Sequence, residues 1–254
     1  MGVLKQLFRT KSIEQILSDS EQPEHRLKRT LTVWDLMALG IGAIIGTGIF
    51  VLIGTAVVGD AHRPGAGPGI MLSFVLSGLT CALAALCYAE FAAMVPVAGS
   101  AYTYSYATLG EFLAWLTGWN LVLEYGVACV AVSIGWSGYF TNILKTVGLE
   151  LPVWATHASW AAEGGFANLP AAIIVLLVSG LLVLGVKESA RTTGIIVVVK
   201  MLAILLFIAV GSSAVNPDNW TPFLPFGFQG VGAAAAIVFF AYIGFDAVST
   251  TAEE

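Results

Sequence analysis

The sequence predicts an all-α integral membrane protein. Three observations carry that prediction. Hydrophobic residues make up 57% of the 254 positions and charged residues only 11%, against about 25% charged in a soluble domain. The apolar residues gather into six segments, each near the ~20 residues that a helix needs to cross a bilayer. More than half of all Lys and Arg (Lys5, Arg9, Lys11, Arg26, Lys28 and Arg29) precede the first segment, which the positive-inside rule assigns to the cytoplasmic side of a multi-pass protein of the cell membrane.

Residues 1–30 form a polar, basic segment without the apolar core of a cleavable signal peptide. The membrane domain is expected over 31–254, with helices at about 34–57, 69–94, 111–144, 169–187, 192–214 and 228–252. With the N-terminus inside, Lys187 and Arg191 fall in a cytoplasmic turn, while Arg63 and Lys145 fall outside. The cytoplasmic side then holds eight Lys and Arg against two outside, with Lys200 inside the membrane. Trp34, Trp115, Trp119, Trp154, Trp160 and Trp220 sit near span ends, as interfacial aromatics do. Ala61–Gly69, residues 146–168 and Asn216–Pro225 carry the Pro and Gly of external loops. The third segment is too long for one upright span, so it tilts or extends beyond the membrane. The sixth runs almost to the last residues, Ala252-Glu253-Glu254, and a chain that stops as its last helix leaves the bilayer is expected to be a fragment.

The first span holds the run Gly40-Ile41-Gly42-Ala43-Ile44-Ile45-Gly46-Thr47-Gly48-Ile49-Phe50. Each glycine weakens a helix by about 1 kcal/mol relative to alanine, so a break is expected here. Backbone groups freed by a break at that depth must face protein, water or a ligand. A broken span suits a zwitterion: half-helix N-termini hold its anionic group and unwound carbonyls its cation. Close helix packing is the simpler reading for Ala38, Gly42 and Gly46, which are spaced by four. It does not account for Thr47 and Gly48, which fall off that ridge. The spacing does not fit a dinucleotide fingerprint, and no βαβ unit surrounds it.

Four ionisable residues lie within spans: Glu90, Glu124, Lys200 and Asp246. Such residues are costly, which makes them functional candidates. Glu90 lies near a span end, where an interfacial role is enough to explain it. Glu124 sits near mid-depth, suited to the cationic part of a ligand or to a lysine across the bundle. Lys200 interrupts an apolar run; desolvation favours its neutral amine, as a proton-coupled carrier requires. The alternative is a lysine pinned to Glu124, Asp246 or unwound carbonyls. Asp246 follows Phe239-Phe240-Ala241-Tyr242-Ile243-Gly244-Phe245, where Gly244 suggests a second broken helix, although a helix end near the interface fits the spacing too. The three cysteines, Cys81, Cys87 and Cys129, are odd in number and lie in apolar spans, so they read as small hydrophobes rather than a metal or disulfide framework.

Together, the 40–50 run, Tyr88-Ala89-Glu90-Phe91, Pro96–Tyr102, Asn120–Tyr125, Gly185-Val186-Lys187-Glu188-Ser189 and Phe240–Asp246 resemble the amino acid–polyamine–organocation superfamily. Within it they look most like bacterial members of the cationic amino acid transporter family. The resemblance implies an inverted-repeat transporter fold of two five-helix sets, here helices one to six, with helices one and six broken at the substrate site. It implies that the N–H groups around Thr47 and Gly48 meet an amino acid's carboxylate, that carbonyls near Ile44, Phe240 and Ile243 meet its ammonium, and that Gly46 belongs to the same substrate-binding set. Glu124 and Asp246 match positions facing the side-chain pocket. Lys200 matches a lysine that takes the place of a sodium ion in related proton-coupled carriers. A complete member has twelve or more spans, so this chain is not expected to transport alone.

The function expected is secondary active, proton-coupled transport of a cationic or small neutral amino acid. The alternatives are an exchanger and a non-transporting amino-acid sensor. A channel would expose a ring of like groups, unlike this asymmetric set. An enzyme is not expected, since no nucleophile–base pair stands out and His25, His62 and His157 lie outside the spans. No cofactor, metal or nucleic acid is expected. The expected partners are the amino acid, protons and membrane lipid, with the identity of any small membrane-protein partner left open.

Overall fold

Thr32 opens the first span with a capping box. Its hydroxyl accepts the Asp35 N–H at 3.3 Å, and the Asp35 carboxylate accepts the Thr32 N–H at 2.9 Å. Two of the helix's orphan donors are satisfied this way, and such a cap stabilises by about 0.5–2 kcal/mol. Helix α2 (Val33–Ile44) follows it, preceded in the chain by a short helix α1 (Ile13–Ser20). The structure is a computed structural model that describes residues 7–20, 22, 31–161, 164–184 and 186–250, with the backbone alone over 186–191. Lys5, His25, Arg26, Lys28, Arg29, Glu253 and Glu254 lie outside the described residues, as do Gly185 and the side chains of Lys187, Glu188, Ser189 and Arg191.

The first span is not one helix. After α2 it resumes as α3 (Thr47–Phe50) and α4 (Leu52–Val58). A two-stranded antiparallel hairpin, β1 (Gly59–Asp60) and β2 (Arg63–Pro64), closes the end of the span where a plain loop was expected. The Asp60 carboxylate accepts the His62 and Arg63 N–H groups at 2.8 and 2.9 Å and fixes the turn. A 3-10 turn at Gly67–Gly69 leads into α5 (Ile70–Met94), a continuous helix of 25 residues. Next comes α6 (Ser100–Thr108), in a stretch the hydrophobic pattern left without an element.

Helix α7 (Glu111–Thr146) has 36 residues. At 1.5 Å per residue it is about 54 Å long. Tilted by 40° it still covers about 41 Å along the membrane normal, more than the ~30 Å hydrocarbon core. Extension beyond the core is therefore required, not only tilt. Beyond it come α8 (Val153–Thr156), α9 (Leu169–Leu184), α10 (Val186–Ser212), a 3-10 turn at Pro217–Trp220, and α11 (Gly227–Val238). The sixth span ends in a 3-10 turn at Phe239–Tyr242 and a last short helix α12 (Ala247–Thr250). Five stretches among the described residues are apolar and long enough to cross a membrane: Val33–Phe50, Gly67–Met94, Glu111–Thr146, Thr192–Ser212 and Gly227–Thr250. The expected fourth span, α9, is shorter at 16 described residues.

The chain falls into two compact units, one drawn from 1–120 and 190–254 and the other from Leu121–Ser189. In the first unit, α11 packs along α5. The Ser73 hydroxyl donates to the Val231 carbonyl and the Ser77 hydroxyl to the Ala235 carbonyl, both at 2.8 Å. Two serines one turn apart thus meet two carbonyls one turn apart, and all four residues are buried. A small core of Ala56, Ala66, Ala234 and Val238 lies beside this stitch. At another place α1 docks by Ile16, which is 6% exposed and packs with Val95 and Tyr104. Lys11 pairs with Asp19, Arg9 meets Glu111 at 3.3 Å, and the Lys11 N–H donates to the Tyr106 carbonyl at 3.3 Å. In the second unit the Asn168 side-chain oxygen accepts both the Ser137 hydroxyl, at 2.7 Å, and the Ala171 N–H, at 3.1 Å. It ties the start of α9 to α7.

Candidate functional site: two facing helix breaks

Helix α2 ends because Ile45 leaves the helical region, with ψ at 97°, and Gly46 follows at φ −154° and ψ −140°, also outside it. Beyond Ile41, whose carbonyl accepts the Ile45 N–H at 3.0 Å, the last carbonyls of α2, Ile44 among them, have no intrahelical donor, and the first N–H groups of α3, at Thr47 and Gly48, have no intrahelical acceptor. The second break begins at the 3-10 turn Phe239–Tyr242. Ile243 follows with ψ at 135°, and Gly244 takes φ +108°, which favours glycine.

These two breaks touch. A Cβ on Gly48 would lie 2.2 Å from the Cα of Ala241, and one on Gly244 would lie 2.9 Å from the Cβ of Ala43. Gly40 meets Val248 of α12, and Gly42 meets Thr193 and Val197 of α10. Part of the glycine ridge therefore serves packing, as its spacing suggested. A Cβ on Gly46, by contrast, would meet no described atom within 4 Å. Ile44, Gly46, Thr47, Gly48, Phe240 and Ile243 are thus gathered around one pair of breaks.

Lys200 reaches the same place from α10. Its ammonium donates to the carbonyls of Gly42 at 2.9 Å, Ile45 at 2.6 Å and Ile41 at 3.4 Å. An ammonium has three donors, and the end of α2 takes all three. The negative end of a helix dipole adds to the attraction. Of the partners the sequence left open, the unwound carbonyls are the ones found.

Asp246 is 4% exposed. Its carbonyl accepts the Ser249 N–H at 2.9 Å and the Ser249 hydroxyl at 2.6 Å, and the Ser100 and Ser249 hydroxyls are 2.7 Å apart. Tyr104 stands beside them, 5% exposed, its hydroxyl without a partner at hydrogen-bonding geometry among the described residues. Burial pushes its phenol up from the ordinary value, against a smaller pull from Ser249. Asp246 therefore belongs to a buried polar cluster joining α6 to α12, which its sequence context did not reveal. Glu90 is exposed near the end of α5. Glu124 is half-buried on α7, in the second unit.

Two residues at the breaks carried no sequence signal as site residues. Ala241 is the surface on which Gly48 rests. Tyr242 sends its hydroxyl to the Phe74 carbonyl of α5 at 2.9 Å. Among the described residues no group of three or more His, Cys, Asp or Glu could hold a metal.

The sequence pattern of the amino acid permease family matches residues 31–254. The chain is 55% identical over 250 residues to the branched-chain amino acid permease BcaP of Bacillus subtilis (strain 168), an alignment covering 98% of this chain and 52% of that protein. It is 51% identical over 251 residues to the methylthioribose transporter of the same organism, covering 99% of this chain and 53% of that one. It is 40% identical over 261 residues to the vacuolar cationic amino acid transporter 2 of Arabidopsis thaliana, covering 100% and 40%. The chain spans about half the length of the curated relatives it matches.

Proposed function

The chain belongs to the amino acid permease family, and on that premise we propose that its facing helix breaks form the substrate site of a secondary active amino acid transporter. The observation that carries the reading is the contact of the two breaks, Gly48 against Ala241 and Gly244 against Ala43. It brings orphan N–H groups and orphan carbonyls together, the pairing a zwitterion needs. The carboxylate is held at Gly46, Thr47 and Gly48, and the ammonium at Ile44, Phe240 and Ile243. The reaction is translocation by alternating access; no bond in the substrate is made or broken.

Protons drive the uptake. Lys200 binds the end of α2 as an ammonium; on losing its proton it releases that grip, which couples protonation to the first break. The N-terminal segment, 1–30, lies in the cytoplasm, and residues 31–254 lie in the cell membrane. Glu124 and Asp246 select the side chain. A buried carboxylate favours a cationic one, so arginine and lysine stand beside small neutral amino acids as candidates. The name of the Bacillus permease adds branched-chain amino acids to that set. Expected for Glu124→Gln is a larger loss for arginine than for alanine; equal losses would remove its contact with the side chain.

The test is uptake of labelled arginine, alanine and leucine into proteoliposomes of the protein at full natural length, with and without an inward proton gradient. Gradient-stimulated accumulation of any of them supports the reading and ranks the substrates. Exchange without net accumulation would replace it with an exchanger. Saturable binding without flux would make the protein a sensor.

A further inference from the structure

We propose that Tyr242 is a positioning residue for the substrate: its hydroxyl, anchored on α5, fixes the turn whose carbonyls receive the ammonium group. The proposal rests on the reading of the two breaks as the substrate site. Its starting point is a gap in the backbone. Around Phe240 and Ile243 no α-helical ladder holds the chain, since a 3-10 turn gives way to an extended residue and then to a glycine with positive φ. Carbonyls that must meet an ammonium within a few tenths of an ångström need another support.

Tyr242 supplies it. It is the last residue of the 3-10 turn and directly precedes Ile243. Its hydroxyl donates to the Phe74 carbonyl at 2.9 Å. Phe74 lies inside α5, an unbroken helix, so the acceptor is a fixed reference; its carbonyl has a second lone pair beyond the helical bond. The Phe74 ring meets the Tyr242 ring edge-on, 6.2 Å between centroids at 61°. One turn along α5, Gly78 provides the notch. A Cβ there would stand 2.8 Å from the hydroxyl oxygen and 3.1 Å from Cζ, so a side chain at 78 would push the phenol away from the position from which it reaches its acceptor.

Ring packing and the hydrogen bond do different jobs. Packing holds α11 against α5, a task the Ser73 and Ser77 bonds share. The hydrogen bond sets how deep the turn sits. Tyr242→Phe keeps the first and removes the second. Its effect should therefore fall on recognition of the ammonium and spare that of the carboxylate, which belongs to the other break.

The experiment is competition binding with the protein at full natural length, pairing L-leucine with isocaproate and L-arginine with its des-amino counterpart. Wild type is expected to prefer the amino acid in the pair it accepts. In Tyr242→Phe that preference should fall by about tenfold, with affinity for the des-amino acid unchanged and the melting temperature lowered only by the loss of one hydroxyl-to-carbonyl bond. Gly78→Ala, which blocks the phenol's notch, should lower the preference in the same way. An equal loss for both members of the pair, or an unchanged preference in Tyr242→Phe, overturns the positioning role. If wild type does not distinguish the members at all, the substrate-site reading fails and the proposal falls with it. That failure shows before any variant is made, which separates the two.

Discussion

A Cβ on Gly48 would stand 2.2 Å from the Cα of Ala241 and 2.7 Å from its nitrogen. Both are backbone atoms and cannot swing aside. Gly48→Leu is therefore expected to abolish uptake in the full-length protein, and normal uptake would remove the two breaks as the substrate site. Thr47→Ala leaves the N–H in place and should change uptake by less than about twofold. Lys200→Ala should flatten the pH dependence of uptake; an unchanged profile would leave Lys200 as a structural pin. The same substitution leaves carbonyls at the end of α2 without a donor. Each buried acceptor so orphaned costs about 1–3 kcal/mol, and less where water reaches it, so a lower melting temperature should accompany the flat profile. At this scale the sequence was informative about backbone. Glycines that do not fit a packing ridge stood out in the run from Gly40 to Gly48. It was silent on partners: Lys200 had three candidates, and the register that selects the carbonyls of Gly42 and Ile45 is set between distant spans.

Between elements, one bond pattern repeats by a helical turn: the pair of serines on α5 facing two carbonyls of α11. Hydroxyl-to-carbonyl bonds inside a bilayer contribute about 0.6–2 kcal/mol each. The Ser73→Ala/Ser77→Ala double variant should lose roughly 1–4 kcal/mol by that measure, read as a lower unfolding midpoint in detergent; no change would mean that packing alone joins the helices. Apolar run lengths were enough to find the long helices, because lipid demands them. Helix α6 was not visible. Its sequence, Ser100-Ala101-Tyr102-Thr103-Tyr104-Ser105-Tyr106-Ala107-Thr108, mixes hydroxyls with aromatics and has no 3.6-residue apolar stripe. It is fixed by what it touches: Ser249 of α12, the Tyr104 contacts around Ile16, and the backbone of Lys11. The hairpin at 59–64 was equally hidden, because an Asp60 turn between such short strands reads as loop chemistry.

For the molecule as a whole, the membrane class followed from composition, and family membership agrees with it. Many of its large hydrophobic side chains are exposed, among them Leu202, Leu205, Leu206 and Phe207 on α10, while the buried residues are mostly Ala, Ser and Gly. Water would not tolerate such a surface; in lipid, small residues inside and large ones outside are the stable arrangement. The docking of α1 was not legible, because one buried isoleucine in a polar segment carries no pattern. Ile16→Asp should release that segment, seen as faster tryptic cleavage at Arg9 and Lys11 with the membrane helices intact. Wild-type resistance in the variant would show that the ion pairs of Arg9 and Lys11 hold it without Ile16.

Gly244 sits between two sets of ties. On one side, α11 and its 3-10 turn are fastened to α5 by Ser73, Ser77 and Tyr242. On the other, α12 is fastened to α6 through Ser249 and rests on α2 through Val248. The two halves of the sixth span thus answer to different neighbours, and the residue joining them is the one whose φ of +108° other residues rarely adopt. Whatever angle the two halves make is set by the residues between Tyr242 and Ala247, Gly244 among them. A side chain at position 244 would be strained by that φ and would crowd Ala43 of α2, so the same glycine both joins the halves and lets the two breaks meet.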